Sequence, residues 1–161
     1  KAARKSSARW GAPVPVMLAI IHQESSFKAK AKPPRKKILW IIPGRRPASA
    51  KGYAQAIDGT WNMYKKATGR WTADRNKFKD AVDFIGWYID QSNKRNNIAK
   101  DDTYNLYLAY HEGQGGFAQA SYRKKQWLIN VAKKVAGRSS RYSNQLASCE
   151  KRYKKRFFGL F

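Results

Sequence analysis

The sequence predicts a single, mainly α domain, and three observations carry that expectation. Apolar residues recur at helical spacing in several successive windows. The length of 161 residues matches one domain of ordinary size. The composition, 42% hydrophobic with 6 Trp, 9 Tyr and 7 Phe, is too apolar for a disordered basic tail and sufficient for a core without staples.

The elements follow in order. Val14–Ser26 reads as a helix, with Pro13 and Pro15 tolerated near its start. Met17, Ile20, Ile21 and Glu24 share one of its faces at i, i+3, i+4 and i+7. Residues 28–51 then lose the helical pattern under Pro33, Pro34, Pro43, Gly44 and Pro47. This stretch is a basic, Pro-rich insertion whose apolar run Ile38–Ile42 is expected to be one arm of a β-hairpin or a loop anchor. Asp58 has the position of an N-cap for a helix over Thr60–Ala67. Lys77–Asn93 forms the longest periodic helix, on Phe78, Ala81, Val82, Ile85, Tyr88 and Ile89. Thr103–Tyr110 is a further helix, stopped by Gly113, Gly115 and Gly116. Trp127–Val135 is amphipathic and expected to stop near Gly137, with Ser140–Lys151 as a separate helix.

Charge and cysteine content narrow the functional classes. With 34 Lys and Arg against 10 Asp and Glu the net charge is +24, which draws the chain toward a polyanion: nucleic acid, an acidic membrane or a wall polymer. From Ser25 to Ile57 there are nine basic residues and no acid, whereas six of the ten acids lie between Asp74 and Asp102. A strongly positive face and a more neutral one are expected. One cysteine, Cys149, excludes an internal disulfide, and with only His22 and His111 no metal site is expected. No apolar stretch reaches the length of a membrane span.

Glu24 is the residue that folding alone does not explain. A carboxylate continuing an apolar stripe is costly to ionise, and the same desolvation raises its pKa into the range of a general acid. The alternative is that Glu24 ends the helix at the domain edge, paired with Lys28 at i+4. His22 lies off the stripe and reads as structural.

Three segments in order bear on this choice. Met17-Leu-Ala-Ile-Ile-His-Gln-Glu-Ser-Ser-Phe27, Gly52-Tyr-Ala-Gln55 and Ala109-Tyr-His-Glu-Gly113 resemble the catalytic-helix, G-L-M-Q and A-Y-N-A-G motifs of the lytic transglycosylases of the SLT superfamily, related to goose-type lysozyme. The resemblance implies a lysozyme-like α-helical fold with a glycan groove, in one domain over residues 1–161. It makes Glu24 the catalytic carboxylic acid and Gln55 a groove-lining glutamine. Tyr110 becomes the tyrosine whose hydroxyl reaches the acid and the adjacent sugar. Tyr53 and His111 fall within the substrate-binding motifs, and Ser25 follows the acid as a residue of helix packing. The sequence departs from the family in four respects. The separation of 31 positions from Glu24 to Gln55 is longer than usual, by the basic, Pro-rich Ile38–Arg46 region of the insertion. Ala54 stands for a methionine. His111 stands for an asparagine and Glu112 for a small residue. Arg46, or Ser49 as the nearest alternative, falls where relatives carry a serine near the acid.

The implied chemistry is cleavage of the β-1,4 bond between N-acetylmuramic acid and N-acetylglucosamine, with closure of a 1,6-anhydro ring and no cofactor. Glu24 serves as acid and then as base. Hydrolysis by a lysozyme-type route needs a second carboxyl, for which Asp58 and Glu112 are the candidates. The rival class is a non-catalytic module on peptidoglycan or another polyanion. No nucleic-acid motif is present, and a nucleic-acid partner is not expected. A peptidoglycan substrate, bearing muramoyl and stem-peptide carboxylates, places the protein in the periplasm or outside the cell, as a monomer. Because the chain opens on Lys, a removed leader or lipid-anchored segment is expected, and Cys149 either pairs with a cysteine there or is a buried inert thiol. The terminal Phe157–Phe161 is expected either to touch a membrane surface or to fold back.

Overall fold

The computed structural model describes the backbone of residues 1–32, 37–38, 42–43 and 49–158, and the side chains of residues 1–32 and 49–149. Helices α1 (Ala2–Trp10), α2 (Val14–Ser25), α3 (Asp58–Thr68), α4 (Phe78–Asn96), α5 (Thr103–Ala118) and α6 (Gln126–Phe158) carry the fold, with a 3-10 turn at Ser121–Lys124. Two short strands, β1 (Lys37–Ile38) and β2 (Ile42–Pro43), pair antiparallel with Ile38 opposite Ile42. Both arms of this hairpin therefore draw on the one apolar run that was expected to supply a single arm. The rest of residues 33–48, Arg46 included, and the side chains of Phe157–Phe161 lie outside the described residues.

Helix α4 forms the centre. Every residue from Asp80 to Asp90 is buried, so the helix has no solvent face along that stretch. Helices α1, α2, α3 and α5 pack against it, and α6 covers α2 and α5 from outside. An aromatic layer joins α3, α4 and α5: Trp61 and Tyr64 lie 5.2 and 5.5 Å from Phe84, and Tyr88 lies 4.9 Å from Tyr110, all at tilted or edge-on angles. The left-handed residue Asn97 ends α4, with Lys94 and Arg95 in its last turn where cations suit the helix dipole.

Helix α1 has no counterpart in the sequence reading. Its sequence, AARKSSARW, buries only Ser6, so it leaves no apolar period to detect. Polar contacts hold it together with the partial packing of Ala2, Ala3 and Trp10 on the core. Ser6 Oγ donates to the Val82 carbonyl at 3.0 Å, and Trp10 Nε1 donates to Asp83 at 3.0 Å. Asp83 also accepts from Tyr64 at 2.7 Å and pairs with Arg9 and Arg70. The close approach is possible because α4 carries glycine at position 86: a Cβ there would lie 2.5 Å from Ser6 Oγ and 2.7 Å from Trp10 Cδ1. Asp80 and Asp90 are buried too, on Arg70 at 2.7 Å and on Lys94 and Lys100 at 2.7 and 2.8 Å. Three of the six acids in the acid-rich segment are thus held inside the fold.

Three boundaries are corrected. Gly113 (φ 76°, ψ 164°) breaks α5, but the helix resumes to Ala118 instead of stopping at the glycine cluster. Gly137 does not stop α6, which runs through it and absorbs the expected separate helix at Ser140–Lys151. The residue faces open space, and Leu128, Ala132, Val135 and Ser139 continue the buried stripe past it. Asp58 is the first residue of α3 and not its N-cap, which is Ile57 without a side-chain bond. The Asp58 N–H donates to Ser49 Oγ at 2.8 Å, so the helix start is capped from the end of the insertion.

Gly86→Ala tests how α1 is held. Helix propensity alone favours alanine by about 1 kcal/mol, whereas the clash with Ser6 and Trp10 predicts a net loss of about 1–3 kcal/mol, read as a lowered midpoint in urea unfolding. A stabilised variant would show that α1 does not dock at this position.

Candidate active site

Glu24 stands one turn beyond Ile20 and Ile21, at the end of α2, where the apolar stripe runs out into a cleft of about 410 Å³. Beyond it the chain turns sharply, with Ser26 and Phe27 both left-handed (φ 49° and 61°). Phe84 and Tyr88 from α4 and Tyr110 from α5 line the base of the cleft. Gln55, Ala56, Ile57 and Thr60 line one side, and His111, Glu112 and Gly113 the other.

The surroundings decide the protonation of Glu24. By surface area the residue is only half-buried, because one side opens to the cleft, yet protein atoms surround its carboxyl closely enough to desolvate it. Burial pushes the carboxyl up to about 7, opposed by the Tyr107 hydroxyl. Among the described residues no cation offsets the burial. Lys28, the alternative partner at i+4, is exposed and makes no ion pair with it.

Gln55 reaches the cleft although 31 positions separate it from Glu24, because the insertion leaves and returns at one point. The Gly52 N–H and Gln55 Nε2 both donate to the Ala31 carbonyl at 2.9 Å, and Nε2 donates again to the Gly52 carbonyl at 2.8 Å. Two carbonyl acceptors fix which end of this amide is nitrogen. Gly52 is left-handed (φ 78°) and abuts the Arg75 backbone, where a Cβ has no room. Buried Arg75 organises the turn: it donates to the carbonyls of Ala56 at 2.7 Å and Ser49 at 3.3 Å, and its own carbonyl accepts from Tyr53 N–H at 3.2 Å.

Two tyrosine hydroxyls of α5 lie beside the acid. The Tyr110 hydroxyl donates to the Ala54 carbonyl, tying α5 to the Gly52–Gln55 turn. The Tyr107 hydroxyl, one helical turn earlier, lowers the Glu24 value, and the Glu24 charge is also felt at the Tyr110 hydroxyl. Burial and the neighbouring Glu24 raise both phenols far above their ordinary value, so both remain protonated donors.

A family model for the transglycosylase SLT domain matches residues 1–149. The chain belongs to this family. Membership supports a peptidoglycan-related function of the lytic transglycosylase type on a lysozyme-like α fold, with peptidoglycan as the substrate bound. Comparisons with curated proteins and with solved structures give no match. No helix among the described residues is long and apolar enough to cross a membrane.

The remaining candidates in this SLT domain separate by position. Glu112 lies on the cleft but is locked: both its oxygens take Lys125 Nζ at 2.8 Å, Ser121 Oγ donates to it, and these bonds hold its carboxyl down to about 2. His111 lines the cleft with Nδ1 3.1 Å from Glu112 and its ring edge-on to Trp127 at 5.1 Å. Asp58 is exposed and not among the lining residues; a 2.5 Å bond from Arg75 holds it below the usual carboxylate range. Ser49 serves α3, as described above. Ser25 is buried with its hydroxyl on the Ile21 carbonyl at 3.1 Å, and Tyr53 packs edge-on against Phe78, away from the cleft. Cys149 is exposed, which removes the buried-thiol alternative. Sequence reasoning missed Tyr107 and Arg75. The first was findable, since it lies at i−3 from Tyr110 on one helix face. The second has no local signal.

The raised Glu24 value sets a pH dependence of stability. The folded state holds this proton more tightly than the unfolded chain. Ionisation therefore costs nothing below about pH 4.5, an increasing amount as pH rises toward 7, and a constant amount above it. Glu24→Gln should be more stable than the native chain by roughly 2–3 kcal/mol at pH 8, with the difference gone at pH 4; parallel stability curves for the two would contradict a desolvated carboxyl. Tyr107→Phe removes the group that opposes burial, so the Glu24 titration followed by carboxyl carbon NMR should move upward from about 7.

Proposed function

We propose that this SLT domain cleaves the β-1,4 bond between N-acetylmuramic acid and N-acetylglucosamine as a lytic transglycosylase, with Glu24 as acid and then base. The observation that supports this reading is the pairing of carboxyls in the cleft. Glu24 exchanges its proton near neutral pH, whereas Glu112 is held ionised by Lys125 and Ser121. A hydrolase that activates water needs a second working carboxylate. Glu112 is committed to its cation, and Asp58 lies outside the cleft on Arg75.

One carboxyl suffices if the nucleophile belongs to the substrate. Protonated Glu24 gives its proton to the glycosidic oxygen as the bond from the muramoyl anomeric carbon breaks. The carbonyl oxygen of the neighbouring N-acetyl group bonds to that carbon. Ionised Glu24 then takes the proton of the muramoyl 6-hydroxyl, whose oxygen displaces the acetamido oxygen and closes the 1,6-anhydro ring. No water is consumed, and Glu24 ends protonated. A pKa near the working pH lets one group serve both steps, and Tyr107 favours the ionised state that the second step needs. With Nε2 committed to two backbone carbonyls, Gln55 offers the glycan an acceptor. The substrate places the enzyme outside the cytoplasm, in the periplasm or exported.

Incubation with purified sacculi, followed by mass spectrometry, tests the reading. The native protein should release anhydromuropeptides, and Glu24→Gln should lower the rate by at least about a hundredfold while still binding sacculi. Reducing ends in the products, or near-native turnover by the variant, would overturn it.

A further inference from the structure

A second cavity of about 250 Å³ adjoins the cleft and shares Thr60, Tyr88 and Gly113 with it. The break in α5 at Gly113 lies where the two meet, and a Cβ at Gly113 or Gly115 would meet nothing within 4 Å. Along α4 the cavity is lined by Trp87, Gln91 and Arg95, spaced i, i+4 and i+8 and so stacked on one helix face. Met63, half exposed at 51%, supplies apolar surface from α3.

The polar groups of this cavity fall into two kinds. Gln114 is satisfied within the fold: its Nε2 donates to Ser92 at 2.9 Å and its Oε1 accepts from Asn96 at 2.7 Å. Arg95 and Gln91 make no ion pair or side-chain hydrogen bond among the described residues. Arg95 is exposed, and its charge is felt at the Tyr88 hydroxyl. No acid lines the cavity, so its one cation is uncompensated there.

We propose that this second cavity is a subsite for the carboxylate-bearing side arm of the muramoyl unit, with Arg95 pairing the carboxylate, Gln91 donating beside it, and Met63 and Trp87 packing on the arm's apolar part. The glycan backbone occupies the cleft itself, and the arm leaves it past Gly113. This rests on the glycan-cleaving reading above and adds a discrimination between bare and carboxylate-bearing sugars. The carboxylate has two sources, the lactyl group of a peptide-free strand or the stem peptide.

Steady-state cleavage of three substrates by the native protein, Arg95→Gln and Arg95→Lys tests it. The strands carry intact stem peptides, free lactyl carboxylates after amidase treatment, or lactyl carboxylates converted to amides. Arg95→Gln should raise KM roughly three- to tenfold on the strands carrying the recognised carboxylate, with kcat within about twofold. It should leave the amidated strands unchanged, and Arg95→Lys should recover part of the loss. An effect on the peptide-bearing strands alone identifies the stem peptide; an effect on the lactyl strands identifies the lactyl group. Equal KM on all three substrates for native and Gln variants, or an equal rise that includes the amidated strands, overturns the subsite. Failure of the native protein on every strand would instead overturn the glycan-cleaving reading.

Discussion

Helix α4 is buried from Asp80 to Asp90 without a gap, and a helix with no solvent face must be covered in every direction. The rest of the architecture follows from that demand. Glycine at position 86 admits α1 at backbone distance, Asp83 collects α1 and α3 on one carboxylate, and Phe84 and Tyr88 receive the aromatic layer from α3 and α5. Along Phe84, Tyr88, Gln91 and Arg95 the neighbouring elements leave room for two adjoining cavities, with Tyr88 lining both. The cleft is thus a gap between the elements that enclose one helix, which places its base on the buried centre of the fold.

On that base, two glutamates a few residues from the same cleft wall behave oppositely for local reasons. Glu24 has desolvation and a single opposing hydroxyl, and it sits near 7; Glu112 has a lysine, a serine and a histidine, and it sits near 2. Environments that drive two like groups apart separate a proton-transfer residue from an anchor. Glu112 in this role holds the 3-10 turn and the start of α6 against the kinked end of α5, through Ser121 and Lys125. Glu112 therefore contributes to shape, while Glu24 keeps the proton that titrates near neutral pH.

What the sequence disclosed follows from the range of the interactions. The stripe Met17, Ile20, Ile21, Glu24 and the period of α4 are local patterns, and both helices lie within a few residues of their expected bounds. Helix α1 escaped because its docking is largely polar, with only Ala2, Ala3 and Trp10 as partial apolar contacts, and depends on a missing side chain at position 86, a fact of tertiary contact. Gly137 was read as a stop because glycine usually weakens a helix, but a buried stripe that continues past it prevails over a cost of about 1 kcal/mol. The motif residues Glu24 and Gln55 both line the cleft, and the long separation between them was legible only as an anomaly. Its resolution, a loop closed at Ala31 and Gly52, needs two backbone carbonyls that no sequence pattern encodes.

The inward placement of Asp80, Asp83 and Asp90 has a consequence beyond the core. Three of the ten carboxylates are withdrawn from the surface and paired with cations that remain partly exposed, while most of the 34 basic side chains have no acid left to meet outside. Such a surface carries a condensed cloud of small anions wherever it goes. When it settles on a polyanionic mesh, those anions and the mesh's own cations are set free together. Part of the attraction is then the mixing entropy of released ions, and a net charge of +24 makes the molecule a small ion exchanger.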